Sequence, residues 1–277
     1  MLPPDNHVHT RWSWDTSNSS TMQLACERAA SRGLPGLAFT EHVDFTAWGE
    51  GDGAREGLAA PDAVAVRPHV MPFDVEGYSA ELERVRGMFP QLRIVSGIEA
   101  GEPHLFAGSV SRVLASGSFE RVLGSLHSVS YEGRLVGADD RMFRALGAEG
   151  LMRKYFTEML DLVSGSSVFG VLAHCDFPRR YWPERAGEYD ESRFEEEYRA
   201  VFRALAASGR ALEINTRSPL WSVDLVRWWR EEGGRAVSFG SDAHQPYRVG
   251  ALFDVAVDIV EAAGFKAGRD PLDFWYR

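Results

Sequence analysis

Six of the eight histidines in this sequence sit at the ends of short apolar runs: His7, His9, His42, His127, His174 and His244. His69 and His104 lie outside that pattern. Three carboxylates share it: Asp15, Glu99 and Asp242. His7-Val-His9 and Asp242-Ala-His244 are i, i+2 pairs. On a strand such pairs point to one face, while Val8 and Ala243 turn the other way into packing. Imidazole combined with carboxylate, without thiolate, is ligand chemistry for Zn, Mn or Fe. Nine candidates exceed the four ligands of one tetrahedral site. Two or three ions are therefore expected, with a carboxylate such as Glu99 bridging a pair. One histidine at a strand end is ordinarily a hydrogen-bonded structural residue. Nine ligand-type side chains in equivalent places, from position 7 to position 244, read as one site.

Other catalytic constellations fit less well. No G-x-S-x-G elbow is present, so Ser125 and Ser241 read as residues of tight backbone rather than nucleophiles. Cys175, between His174 and Asp176, turns away from the site by alternation, and Cys26 lies on the apolar face of a helix. Both read as small buried hydrophobes. Of Trp12, Trp14, Trp48 and Trp182, one or two are expected to wall a substrate pocket.

The elements that must position these residues alternate. Strand candidates cover residues 5–9, 37–42, 93–99, 121–127, 168–174, 211–215 and 236–242. Helix candidates cover 21–31, 75–88, 103–115, 149–163, 192–207, 222–232 and 249–263. Seven strands each followed by a helix imply a parallel α/β protein, whose strand C-termini open on one side where ligands bind. The chain reads as a single domain over residues 1–277. Residues 43–72, rich in Gly, Ala and Pro, are long for a loop and read as a lid.

Composition narrows the class. The 277 residues are 44% hydrophobic and 25% charged, ordinary for a globular protein and unlike a collagen, coiled coil or disordered chain. Two cysteines and a start without basic or apolar leader regions suggest a reduced, cytoplasmic protein. No run of 18 apolar residues suggests a membrane span. A net charge of −10 does not favour nucleic acid as a partner. A small phosphorylated substrate remains compatible, because bound cations reverse the local field. The oligomeric state is not legible in the sequence.

Taken in order, several segments resemble the motifs of the PHP (polymerase and histidinol phosphatase) superfamily of metal-dependent phosphoesterases. They are Asp5-Asn-His-Val-His-Thr10, Thr40-Glu-His-Val-Asp44, Gly97-Ile-Glu99, Gly124-Ser-Leu-His127, Ala173-His-Cys-Asp176 and Gly240-Ser-Asp-Ala-His244. Within it, Asp15, Glu213-Ile-Asn-Thr216 and Ser241-Asp-Ala-His-Gln-Pro-Tyr-Arg-Val-Gly250 are most similar to histidinol-phosphate phosphatases; Ser128-Val-Ser-Tyr-Glu-Gly133 departs from their pattern. The resemblance implies a distorted (β/α)7 barrel holding three divalent ions. One would be held by His7, His9, Glu99 and Asp242, a second by Glu99, His127 and His174, and a third by Asp15, His42 and His244. It further implies hydrolysis of L-histidinol phosphate to L-histidinol and phosphate by a hydroxide bridging two ions.

Arg180 and Arg217 are candidates for gripping the phosphoryl oxygens, because a guanidinium matches phosphate in a forked geometry. Asp176 is a candidate acid for the leaving group, and Asp44 a candidate partner for a ligand imidazole. Glu102, Asp44 or the 43–72 segment would meet the ammonium of histidinol. The competing readings are a phosphoesterase acting on a nucleotide or sugar phosphate and a non-catalytic metal-binding protein. A metal-dependent amidohydrolase fits less well: its bridging Lys is missing, since Lys154 and Lys266 both fall in helical stretches.

Overall fold

The computed structural model describes residues 2–48, 72–270, 272 and 274–277. The strands are β1 (Asp5–Val8), β2 (Gly36–Val43), β3 (Arg93–Gly101) and β4 (Arg121–Ser125), a hairpin of β5 (Ser128–Tyr131) and β6 (Arg134–Gly137), then β7 (Val171–Leu172), β8 (Ala211–Asn215), β9 (Ala236–Gly240) and β10 (Trp275–Tyr276). One sheet carries eight of them in the order β1-β2-β3-β4-β7-β8-β9-β10. Its seven expected strands are parallel, and β10 adds an antiparallel edge against β9. The helices are α1 (Met22–Ser31), α2 (Phe45–Trp48), α3 (Val75–Met88), α4 (Ala107–Ser116), α5 (Asp140–Leu146), α6 (Ala148–Gly165), α7 (Glu195–Ala207), α8 (Val223–Glu231) and α9 (Phe253–Ala262).

The sheet curls until its two ends touch. The His9 amide donates to the Ala243 carbonyl at 2.9 Å, and Val8 and Ala243 form an isolated parallel bridge. The result is a distorted α/β barrel of seven parallel strands, closed by a single bridge at the C-terminal ends. Every residue of β2 is buried, as expected of a strand covered on both faces. Helix α3 locks that strand to the next: the Tyr78 hydroxyl donates to the Phe39 carbonyl and accepts from the Gly97 amide, both at 2.8 Å. The β2–β3 register sets His42 opposite Glu99.

Two departures from the sequence-based elements bear on the site. Residues 128–146 form the β5–β6 hairpin and α5, which had no counterpart in the strand and helix candidates. Strand β7 is only two residues long, because the His174 amide leaves the ladder and donates to the Glu213 carboxylate at 2.8 Å. Most of the proposed lid, together with His69, lies outside the described residues. Its first residues form the end of β2 and helix α2. Cys26 and Cys175 are both free and buried. Among the described residues no helix is long and apolar enough to cross a membrane.

Candidate metal centre

The strand ends carry the ligand-type residues to one place. Glu99, fully buried at the end of β3, lies at its centre. One of its oxygens, Oε1, is 2.7 Å from His174 Nε2 and 3.2 Å from His127 Nε2. The other, Oε2, is 3.3 Å from His7 Nε2 and 3.4 Å from His9 Nε2. Asp242 Oδ1 stands 3.5 Å from His9 Nε2 and 3.9 Å from His7 Nε2. Towards solvent, Asp15 Oδ2 is 2.9 Å from His244 Nε2 and 3.5 Å from His42 Nε2. All nine candidate ligands are thus brought together, and several overlapping sets of three among them, such as His7, His9 and Glu99 or Glu99, His127 and His174, have ligand atoms close enough to hold an ion. Asp242 has a backbone φ of 49°, the left-handed region where aspartate is among the few tolerated side chains.

The donor set fits resident cations. His7 Nδ1 lies 2.6 Å from Glu213 Oε1, and His127 Nδ1 lies 3.1 Å from Asp44 Oδ1. A carboxylate only accepts, so each Nδ1 carries hydrogen and each Nε2 can turn a lone pair inward. The imidazoles nevertheless crowd: His7 Nε2 and His9 Nε2 are 2.9 Å apart, and His42 Nε2 and His244 Nε2 are 3.4 Å apart. Lone pairs at such distances need a proton or a cation between them. Glu99 Oε2, buried among these rings, accepts no hydrogen bond among the described residues. A buried carboxylate oxygen without a partner is costly unless an ion meets it.

Burial opposes the charge on His7, His42 and His127, but the carboxylates around them hold their pKas well above the usual imidazole value. These rings keep a proton that a cation would displace; the carboxylates and His9 rest in ligand form. Burial opposes ionisation of Glu99, but His7, His127 and His42 hold its pKa well below the usual carboxylate range. Burial likewise opposes the charge on Asp242, and Arg180, His7, His9 and Arg217 hold it ionised. Burial, reinforced by His42 and His244, pushes the His9 pKa down to about 4, keeping the neutral imidazole that metals bind.

A cleft of about 420 Å³ opens over the cluster. Trp14, Phe177 and Tyr181 line one part of it, and Arg134, Val136 and Asp139 from the hairpin region another. Of the tryptophans singled out in the sequence, Trp14 lines this cleft. Trp12 instead donates to Glu81 at 2.8 Å, Trp182 donates to the Gly187 carbonyl at 2.9 Å, and the Trp48 side chain lies outside the described residues. Arg180 and Arg217 both line the cleft and both bind Asp242, at 2.5 Å and 3.0 Å. Arg180 is also tied to Ser218 and Asn215, whereas Arg217 is 43% exposed at the cleft mouth.

Two sequence-based candidates are placed elsewhere. Asp176 is buried and does not line the cleft; its Oδ2 accepts from Tyr198 at 2.9 Å and from Trp221 at 2.8 Å. It is a packing carboxylate, which corrects its reading as the leaving-group acid. Glu102 is fully buried with its Oε1 on the His127 and Ser128 amides, so it does not meet a substrate ammonium in the cleft. Asp44 lines the cleft, with its oxygens turned to His127 and Trp14. Glu213 had been noted only as part of a motif, without a role. The signal was present: a lone acid inside the apolar run Ala-Leu-Glu-Ile demands a buried partner.

A parallel α/β barrel whose strand ends gather six histidines and three carboxylates under a cleft has the donor groups of a metal-binding protein. The chain belongs to the PHP domain family, whose pattern matches residues 5–217. It is 26% identical to the histidinol-phosphatase of Lactococcus lactis, over 96% of this chain and 93% of that one. It is 28% identical to a probable histidinol-phosphatase of Deinococcus radiodurans, over 94% and 93%. In structure it resembles the Lactococcus lactis histidinol phosphate phosphatase crystallised with zinc, L-histidinol and phosphate. That likeness has a TM-score of 0.80 at 23% identity and covers 99% of this chain and 98% of the other.

Proposed function

We propose that this chain is a metal-dependent phosphomonoesterase that hydrolyses L-histidinol phosphate to L-histidinol and phosphate, the whole chain acting as one catalytic domain. The observation that carries the reading is Glu99, with the nitrogens of five imidazoles (His7, His9, His42, His127 and His174) within 3.4 Å of its two oxygens at the floor of an open cleft. Relatives named histidinol-phosphatase align over more than nine-tenths of both chains, which supports the substrate.

Phosphate monoester hydrolysis needs the largest accelerations known, up to about 10²¹-fold. General acid–base help gives only about 10²–10⁴. Zn, Fe or Mn ions, three in number, would be held by His7, His9, Glu99 and Asp242, by Glu99, His127 and His174, and by Asp15, His42 and His244. Bound there, they supply charge against the phosphoryl oxygens and acidify water. The chain's own residues do the rest. Glu213 and Asp44 orient the rings of His7 and His127. Arg217, exposed at the mouth, exchanges Asp242 for a phosphoryl oxygen of the substrate. Trp14, Phe177 and Tyr181 exclude water around the leaving group.

A second substrate reading, a nucleotide or sugar phosphate, is favoured by Arg134 on the cleft wall, which suits an anionic rather than an aminated leaving group. A panel of phosphate esters offered to zinc-, iron- or manganese-loaded protein decides. Histidinol phosphate is expected to lead by at least about a hundredfold in kcat/KM, roughly 2.7 kcal/mol of transition-state preference. A nucleotide in the lead moves the substrate but keeps the chemistry. No hydrolysis of any ester by metal-loaded protein overturns both.

A further inference from the structure

His9 is the one imidazole at the centre whose outer nitrogen meets a hydroxyl instead of a carboxylate. Its Nδ1 lies 3.0 Å from Ser13 Oγ. The same Oγ is 3.0 Å from the His42 amide nitrogen and 2.6 Å from Glu41 Oε2. All these groups are buried. A serine hydroxyl has one hydrogen to give and two lone pairs. Burial raises the Glu41 pKa, opposed by Ser13, by the Thr10 hydroxyl and amide and by His42. Since Thr10 already donates to both of its oxygens, the carboxyl group accepts here and takes the hydroxyl hydrogen. The His42 amide can only donate, so it fills one lone pair. The remaining lone pair accepts from His9, and Nδ1 must carry the hydrogen.

Glu41 itself is held rigidly. Its Oε2 also accepts from the Thr10 amide at 2.9 Å, and its Oε1 from the Thr10 hydroxyl at 2.7 Å. We infer that Ser13, polarised by Glu41, is a positioning residue that fixes the His9 tautomer and turns its Nε2 lone pair towards the cations. The inference rests on the metal-centre reading above and adds two residues to it. It also gives the site an asymmetry. His7 leans on a carboxylate through Glu213, whereas His9 leans on a neutral hydroxyl, so His7 is the more electron-rich member of a pair whose Nε2 atoms are 2.9 Å apart.

The tautomer can be read directly. Long-range ¹H–¹⁵N spectra of metal-free wild-type protein, with His9 assigned by loss of its signals in His9→Gln, are expected to show hydrogen on Nδ1. Hydrogen on Nε2 alone overturns the inference whatever any variant does. Affinity provides the second arm, by competition of the apoprotein with a chromophoric zinc chelator. Ser13→Ala is expected to weaken zinc binding about 10- to 100-fold, the usual cost of losing such a partner. Ser13→Ala binding zinc as tightly as wild type refutes the role of Ser13. Wild type failing to bind zinc at all overturns the metal centre itself, and the positioning role with it.

Discussion

His7 Nδ1 and Glu213 Oε1, from opposite ends of the barrel sequence, are 2.6 Å apart and both buried. Gly240 makes this approach possible: a Cβ there would lie 2.0 Å from the same Glu213 oxygen and 2.6 Å from His7 Cβ. Burial opposes the charge on Glu213, but His7 holds its pKa below the usual carboxylate range. Glu213→Ala is therefore expected to weaken metal binding about 10- to 100-fold. Gly240→Ala should do the same by displacing the carboxylate rather than deleting it. Zinc affinity of the two variants, measured by chelator competition, checks this; wild-type affinity in both would remove Glu213 from the support of the centre.

What the sequence made legible was the inner ring of the site, because its residues share one address, the C-terminal end of a parallel strand. His42 and Glu99 could be placed side by side from position alone, and the register pairs them. The hairpin that walls the cleft was not legible. Its strands are four residues each, and its turn, Glu132-Gly133, has positive φ at both residues without the Asn-Gly or Asp-Gly signal that usually announces such a turn. Asp176 misled for a related reason. Proximity to His174 in sequence suggested the site, but the chain turns there into a 3-10 helix at Phe177–Tyr181 and carries the carboxylate to Tyr198 and Trp221.

That correction is testable. Asp176→Ala leaves two buried donors, Tyr198 and Trp221, without their acceptor, a cost of about 1–3 kcal/mol. The melting temperature should fall by several degrees, while kcat of the metal-loaded enzyme stays within about threefold of wild type. A hundredfold fall in kcat with unchanged melting would return Asp176 to the chemistry.

Arg217 and Arg180 share Asp242 but differ in freedom. Arg180 is 10% exposed and fixed by three partners; Arg217 is 43% exposed. Arg217→Gln is expected to raise KM for the phosphate ester and weaken inhibition by inorganic phosphate, each about tenfold or more, because a charge-assisted fork is lost. Metal content, read by elemental analysis, should not change. Loss of metal with unchanged KM would make Arg217 a prop for Asp242 instead of a phosphate ligand.

Glu102 provides a pH signature. Its backbone sits at φ 45°, and its Oε1 accepts from the His127 and Ser128 amides, each at 2.7 Å. Burial pushes its carboxyl up to about 7; His127 and the two amides oppose the shift and Asp44 adds to it. The folded pKa thus exceeds the ordinary glutamate value of about 4.3. Between those values the folded protein holds a proton that the unfolded chain has released. The stabilisation is complete below pH ~4, declines as pH rises, and is gone above ~7, a change on the order of 3 kcal/mol. Glu102→Gln keeps an acceptor for both amides and cannot titrate. Thermal melts of metal-free protein from pH 5 to 8 should therefore fall more steeply for wild type than for Glu102→Gln. Parallel curves would mean that Glu102 is already ionised at pH 5, held so by the neighbouring His127.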